Sequence, residues 1–176
     1  MPFQFPVIFA GQDLTAGTLQ DMVPLFVVTP AATTRASTTI QASDPYLSFP
    51  VTAGGLYLVE FFVMYAGVSA AGISTSWIMP SGTSGYRTVL GPGTSSAASS
   101  NAGNVTSVNL AGAVFSTVLS YGCVTNIVTA YQNLRETATF TAASTGTCSF
   151  AWSQTSSSVT GTVVQAGSWG RMYELQ

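Results

Sequence analysis

The chain has no histidine and no lysine, and charged residues of every kind make up only 6% of its 176 residues. Four arginines stand against six carboxylates, which gives a formal net charge of −2. A surface that tracks nucleic acid needs several clustered cations to displace the counterions of the phosphates, and four arginines dispersed along the chain do not provide them. We therefore expect no nucleic-acid partner.

The missing histidines also remove the commonest general base and metal ligand. Paired carboxylates are the remaining route to catalysis, and Glu60 is the one carboxylate within a strongly apolar stretch, the setting that adapts such a group to acid–base work. The alternative is that Glu60 is ion-paired with an arginine or hydrogen-bonded at a subunit interface. We favour that alternative, and predict that the protein is not an enzyme and uses no cofactor or metal ion.

Cysteine is scarce, and long hydrophobic runs are absent. Cys123 and Cys148 belong to no cluster with metal-site spacing. Because no basic segment precedes Arg35, we expect no cleaved export signal, folding inside a cell, and two buried free thiols rather than a disulfide. The most apolar stretch, residues 55–66, is well short of the roughly 20 residues that span a bilayer as a helix. We therefore expect no membrane partner.

What the sequence has in abundance is hydroxyl side chains, 22 serines and 24 threonines, interleaved with β-branched and aromatic residues. Short runs of this kind, separated by Gly, Pro, Asn and Ser at intervals of about ten residues, are typical of an all-β sandwich or barrel. We expect one such domain over residues 35–176. Its predicted strands lie near residues 37–42, 46–51, 55–67, 72–79, 85–90, 113–119, 123–132, 135–143, 147–154, 160–165 and 168–175.

Residues 1–34 differ from the remainder and are predicted to form an N-terminal arm. Residues 13–22 offer about two helical turns, with Asp13 or Thr15 as the N-cap and Pro24 as the stop. A short helix with so little apolar surface is not stable by itself. We therefore expect the arm to lie on the domain body, on a neighbouring subunit or on a larger surface.

The segment over residues 55–66 is apolar on both of its faces. Tyr57, Phe61 and Tyr65 share one face, while Phe62 lies on the other among leucine and methionine. In a two-sheet sandwich only one face of a strand meets the core, so the second face must be covered by something else. We favour contact with another copy of the chain, and the alternative is coverage by the N-terminal arm.

Two connections carry clear loop or turn signals. Residues 91–104 are almost all small and show no periodicity, which predicts a long loop that is either solvent-exposed or a contact at a subunit or virion surface. The turn Ser144–Thr145–Gly146 is predicted to join the strands on either side as a hairpin.

Five segments, taken in order, resemble small jelly-roll proteins of the tailed phages of actinobacteria. The closing part reads GTCSFAWSQTSS over residues 146–157 and VTGTVVQAGSW over residues 159–169, with Gly170 where a large apolar residue is frequent. The upstream pieces are DLTAGTL over residues 13–19, YLVEFFVMY over residues 57–65 and WIMPSG over residues 77–82.

The resemblance implies a jelly roll like those of tumour-necrosis-factor-type trimers, used as a virion structural protein: a head decoration protein, a head fibre or a minor tail component. The implied partners are further copies of the chain and a major capsid protein or another virion protein, with assembly in the host cytoplasm. We expect a homotrimeric capsid decoration protein with aromatic side chains buried along its threefold axis. The predicted interface residues are Tyr57, Phe61, Phe62 and Tyr65, and the predicted anchoring residues of the arm are Phe3, Phe5, Leu14, Leu19 and Met22.

An alternative function is recognition of a host glycan by a tail or fibre component. Sugar sites combine an exposed aromatic ring with polar side chains, and Tyr86, Arg87, Asn101 and Asn104 would form such a set if the long loop folds over the strand before it. The tryptophans are expected to anchor the core rather than to stack on a ligand: Trp77, Trp152 and Trp169.

Overall fold

The computed structural model describes residues 23–94, 108–123 and 131–175, together with Gly11, Asp13 and Thr15. Most of the predicted helix over residues 13–22, of the loop 91–104 and of the predicted strand 123–132 lies outside the described residues. The strands are β1 Leu25–Val28, β2 Thr33–Arg35, β3 Ala42–Val51, β4 Leu56–Ala66, β5 Ile73–Ile78, β6 Tyr86–Pro92, β7 Val108–Val114, β8 Leu119–Tyr121, β9 Gln132–Thr141, β10 Gly146–Ser153, β11 Thr162–Val164 and β12 Trp169–Glu174.

The strands form two antiparallel sheets. The larger sheet has eight strands and runs β1-β12-β4-β9-β6-β7, with β11 joining β4 to β2, and the smaller sheet runs β3-β10-β5-β8. The chain crosses between the sheets at almost every connection from β3 to β12, which gives the double-sheet arrangement of a jelly roll. The predicted all-β sandwich is therefore confirmed.

The hairpin formed by β6 and β7 is inserted into this arrangement. It lies between β5 and β8 in sequence and extends the larger sheet beyond β9. The sequence predicted one strand for residues 113–119, whereas β7 ends at Val114 and β8 begins at Leu119 in the other sheet. The turn between them is what returns the chain from the inserted hairpin to the smaller sheet.

Three predictions about local structure are corrected by the strand bounds and by the sheet pairing. β1 pairs with β12 and β2 pairs with β11, so residues 25–35 belong to the sandwich and not to a separate arm. The turn at residues 144–146 does not close a hairpin, because β9 lies in the larger sheet and β10 in the smaller one. The predicted strand 37–42 is also absent, since β3 begins only at Ala42.

The core lies between the sheets and is largely aromatic. The ring of Phe61 lies 4.9 Å from that of Trp77, 5.5 Å from that of Phe150 and 5.7 Å from that of Phe49. Each large apolar side chain buried here stabilises the fold by roughly 1.5–3 kcal/mol. Trp152 is fully buried, and so, as expected, are the two free thiols of Cys123 and Cys148.

Candidate functional site: the outer face of the larger sheet

A buried polar cluster interrupts the apolar core. The carboxylate of Glu136 accepts hydrogen bonds from Thr75 Oγ1 at 2.5 Å, Trp77 Nε1 at 2.6 Å and the Tyr121 hydroxyl at 2.8 Å. Arg87 Nε lies 2.9 Å from Glu136 Oε2, and both side chains are 0% exposed. Burial, together with the neighbouring Glu136, raises the pKa of Tyr121. A carboxylate so enclosed cannot meet a substrate, and its role is structural.

The guanidinium of Arg87 ties this cluster to the surrounding backbone. It donates hydrogen bonds to the carbonyl oxygens of Thr75, Val114, Phe115 and Thr117 at 2.7–3.1 Å. Arg87 therefore joins β5 to the turn that follows the inserted hairpin. This role of Arg87 was not predicted from the sequence. The available signal was Glu136, which lies on the same face of its strand as Ala138 and Phe140. A carboxylate on a buried face needs a partner, and that partner is Arg87.

The position of Arg87 also overturns its predicted part in a glycan site. Tyr86 is 71% exposed on the outer face of the sheet, whereas Arg87 points into the core, because successive side chains of a strand face opposite sides. A sugar that contacts Tyr86 cannot reach Arg87. Asn101 and Asn104, the other two members of the predicted set, lie outside the described residues.

Three of the four predicted interface residues are likewise placed in the core. The side chains of Tyr57, Phe61 and Tyr65 lie between the sheets and are buried within one chain, so they offer no surface to a second copy. Phe62 lies on the outer face. Trp169, predicted to be a core residue, is also on that outer face, because it pairs directly with Phe62 across β12 and β4. The predicted anchoring residues Phe3, Phe5, Leu14, Leu19 and Met22 lie outside the described residues.

The outer face of the larger sheet carries an apolar row that crosses six neighbouring strands. Cross-strand pairing sets one residue of each strand beside the next. All but one member of the row are apolar. In order they are Val28, Trp169, Phe62, Arg135, Leu90 and Leu110. Several of them are exposed large hydrophobic side chains: Val28, Leu90 and Leu110.

Aromatic rings concentrate where β1, β12 and β4 meet. Trp169 stacks on Phe62 with ring centroids 5.6 Å apart and planes inclined by 17°, and Phe26 lies 6.2 Å from Trp169 on the other side. The Arg171 guanidinium carbon lies 5.8 Å from the ring of Trp169 and 5.9 Å from that of Tyr173. The result is an aromatic surface with an arginine lying over it.

A trio of charged residues lies on the same face: Glu60 and Arg171 pair in the next row, and Arg135 stands in the apolar row itself. Glu60 accepts a hydrogen bond from Arg171 Nε at 2.5 Å and forms a second ion pair, through its other carboxylate oxygen, with Arg135. Its side chain is only 4% exposed, whereas that of Arg135 is 52% exposed. The expectation that Glu60 is ion-paired is confirmed. Two arginines against one carboxylate leave the trio with one surplus positive charge.

The outer face of the smaller sheet is more polar than that of the larger sheet, and a side chain from outside its strands lies across it. Gln41 lies across it and donates to Ser153 Oγ at 2.7 Å and to the Ser74 carbonyl oxygen at 3.2 Å, while Ser76 donates to Gln41 Oε1 at 3.2 Å. The chain's own hydroxyl and amide groups therefore cover part of this face, while Ile78 at the end of β5 is exposed. On the outer face of the larger sheet, by contrast, the apolar side chains of Val28, Leu90 and Leu110 are exposed.

A cavity of about 460 Å³ opens at one end of the sandwich. It lies between residues 77–85 and residues 114–116, above the stacked rings of Trp77 and Phe115, whose centroids are 5.7 Å apart. Its lining includes no titratable side chain. The cavity therefore offers shape and hydroxyl groups, but no acid, base or charge.

Within the part of the chain that the structure describes, no group of three or more Cys, Asp or Glu side chains is placed to hold a metal ion. In that same part, no helix has the length and apolar character needed to cross a membrane.

Comparison with known proteins adds little to this picture. No protein-family model matches the chain, and no curated protein matches it. Among solved structures, one of infectious bursal disease virus strain Gt is 13% identical in sequence over 86% of this chain, with a TM-score of 0.18. The chain spans 38% of the length of that viral chain. A likeness at this level carries no argument about fold or function.

Proposed function

We propose that the chain is a self-associating virion structural protein, a homotrimer that decorates a phage capsid. The observation that carries the proposal is the apolar row across the outer face of the larger sheet. Monomeric proteins rarely expose large contiguous apolar surfaces, and those that are exposed mark interaction sites. The contrast with the smaller sheet, where the hydrogen-bonded side chains of Gln41, Ser76 and Ser153 occupy part of the outer face, supports a contact between copies at the larger sheet.

The proposal that the assembly is a virion is supported by the sequence resemblance to jelly-roll proteins of tailed phages. The two sheets carry few charges, expose apolar side chains and enclose an aromatic core. These properties suit a protein that functions as a permanent subunit of a larger assembly. Closed rings of identical copies are a common way to bury such a surface. A trimer with about 800 Å² buried on each copy would have an interface of ordinary size.

The self-association is tested by native mass spectrometry of the full chain beside two matched variants. Leu90 in the apolar row is 45% exposed and Ile78 on the outer side of the smaller sheet is 46% exposed. We expect the wild-type chain to give a mass three times its 18.2 kDa. Leu90→Asp should dissociate it, and Ile78→Asp should not. A monomeric wild-type chain, or equal behaviour of the two variants, contradicts the proposed contact.

The virion assignment is tested by immunogold labelling of phage particles that carry the gene. Regular labelling over the head supports a decoration protein. Labelling confined to the tail tip contradicts it and favours the glycan-binding alternative. Particles with no label would refute a structural role in the virion.

A further inference from the structure

The surplus charge on the outer face of the larger sheet restricts what can cover it. Arg135 is largely exposed and stands in the middle of the apolar row, while the one carboxylate beside it, Glu60, is already shared with Arg171. A partner that buries this face without a carboxylate would leave a cation poorly compensated, which is costly. The occupant of the face should therefore carry negative charge as well as apolar side chains.

A second copy cannot supply that charge by presenting the same face. A twofold contact of this face with itself would set two positively charged trios against each other, and like charges in an interface are destabilising. The contact must join this face to a different part of the second copy. Such a head-to-tail contact closes into a ring when the rotation permits, which agrees with a trimer.

The N-terminal segment, residues 1–22, has the required composition. It contains two carboxylates, Asp13 and Asp21, and no cation. Its apolar residues include the five already predicted to anchor the arm, three of them leucine or methionine and two phenylalanine. The segment joins the sandwich just before Leu25, where β1 begins at the rim of the aromatic surface. Fully extended, 22 residues reach up to about 70 Å, which is enough to cross a neighbouring sheet.

Asp13 is the one carboxylate of the segment that the structure describes, because Asp21 lies outside the described residues. Asp13 is exposed, and it forms no ion pair with any described residue, although Arg135 and Arg171 belong to the same chain. We infer that the N-terminal segment of one copy lies across the outer face of the larger sheet of the next copy, with Asp13 and Asp21 beside Arg135. This inference rests on the proposed self-association and names the part of the second copy that makes it.

The test is charge reversal with rescue in the full chain, read out by the dissociation constant of the oligomer in sedimentation equilibrium. The double variant Asp13→Arg, Asp21→Arg should weaken association about tenfold or more, because it sets cations against Arg135 and Arg171. Adding Arg135→Asp to that variant reverses the charge of the trio and should restore most of the affinity. The control Gln12→Asn, Gln20→Asn changes neighbouring side chains without changing charge, and should leave association unchanged.

The outcomes separate this inference from the proposed function. If the double variant associates as the wild type does while Leu90→Asp still dissociates it, the face is an interface but the N-terminal segment does not cover it, and the inference is wrong. If Arg135→Asp fails to rescue the double variant, the pairing of the segment with this arginine is refuted. A wild-type chain that remains monomeric at every concentration would refute the proposed self-association itself.

Discussion

At the residue scale, Glu136 and Arg87 form the ion pair whose substitution should lower the free energy of unfolding most, because both side chains are enclosed between the sheets. Glu136→Gln removes the negative charge and leaves the guanidinium of Arg87 buried without compensation. Breaking one side of a buried pair costs about 3–5 kcal/mol. We expect a loss of that order in the free energy of unfolding, measured by urea denaturation.

The control for that prediction lies on the same strand. Thr139→Ala changes an exposed side chain of β9 and should alter stability by less than about 0.5 kcal/mol. A double replacement of Arg87 and Glu136 by apolar residues should not restore full stability, because four backbone carbonyls would lose the donors that Arg87 provides. Equal stability of Glu136→Gln and Thr139→Ala would show that the cluster does not hold the sheets together.

Cys123 makes the fold sensitive to alkali. Burial raises the pKa of its thiol from the ordinary 9.0 to about 12. Its contribution to stability is complete below pH 9 and is lost as pH rises from 9 to 12, because the unfolded chain releases a proton that the folded chain retains. Burial also raises the pKa values of Cys148, Tyr65 and Tyr121, so their effects have the same sign.

The corresponding measurement is the slope of unfolding free energy against pH between 9 and 11. We expect Cys123→Ala to reduce this slope by up to about 1.4 kcal/mol per pH unit. The substitution also lowers stability at neutral pH by removing buried volume, so the slope and not the absolute value is the readout. A slope identical to that of the wild type would show that the thiol does not titrate in this window.

At the element scale, the close packing of β12 on β4 depends on a glycine. A Cβ atom at Gly170 would lie 2.8 Å from the ring of Phe61 and 3.0 Å from that of Phe49. The contact between β12 and the core therefore leaves no room for a side chain at this position. We expect Gly170→Ala to destabilise the fold by about 1–3 kcal/mol, since β12 must move away from the core.

A second strand glycine of the same sheet provides the control. Nothing lies within 4 Å of the Cβ position of Gly112 on β7, so Gly112→Ala meets no neighbour. Thermal unfolding of the two variants should differ by several degrees, with Gly170→Ala lower. Similar melting temperatures would mean that β12 accommodates the added methyl group without cost.

The element scale also shows how far the sequence could predict this fold. Alternation in β9, with threonines outside and Ala138 and Phe140 inside, is a local property of the sequence, and the strand predicted near residues 135–143 is confirmed. The crossing from β9 to β10 was not, because a short turn with glycine is compatible both with a hairpin and with a step between sheets. β1 and β2 were missed because strands of four and three residues carry almost no periodic signal.

The candidate surface was predictable in part, because the alternation of side chains along β4 can be read from the sequence. The two apolar faces of β4 required a second cover, and Phe62, one of the predicted interface residues, lies on the outer face. The sequence could not tell which of the two faces meets the core, so Tyr57, Phe61 and Tyr65 were assigned to the wrong side. That choice depends on the register with β9 and β12, which is set by residues far away in the chain.

At the scale of the whole molecule, the proposed association makes stability depend on protein concentration. A partner that binds only the folded chain stabilises it by mass action, so the melting temperature of an oligomer rises as the chain is concentrated. We expect the wild-type melting temperature to increase by a few degrees over a hundredfold range of concentration. Leu90→Asp should melt at one temperature throughout that range, because its interface is lost.

Ile78→Asp is the matched control for this prediction. Both variants place a carboxylate at an exposed apolar position of the sandwich, one on each outer face, so their direct effects on the fold should be similar. Only the variant on the larger sheet should remove the concentration dependence. If both retain it, association uses another surface, and the apolar row must be explained by a partner other than the chain itself.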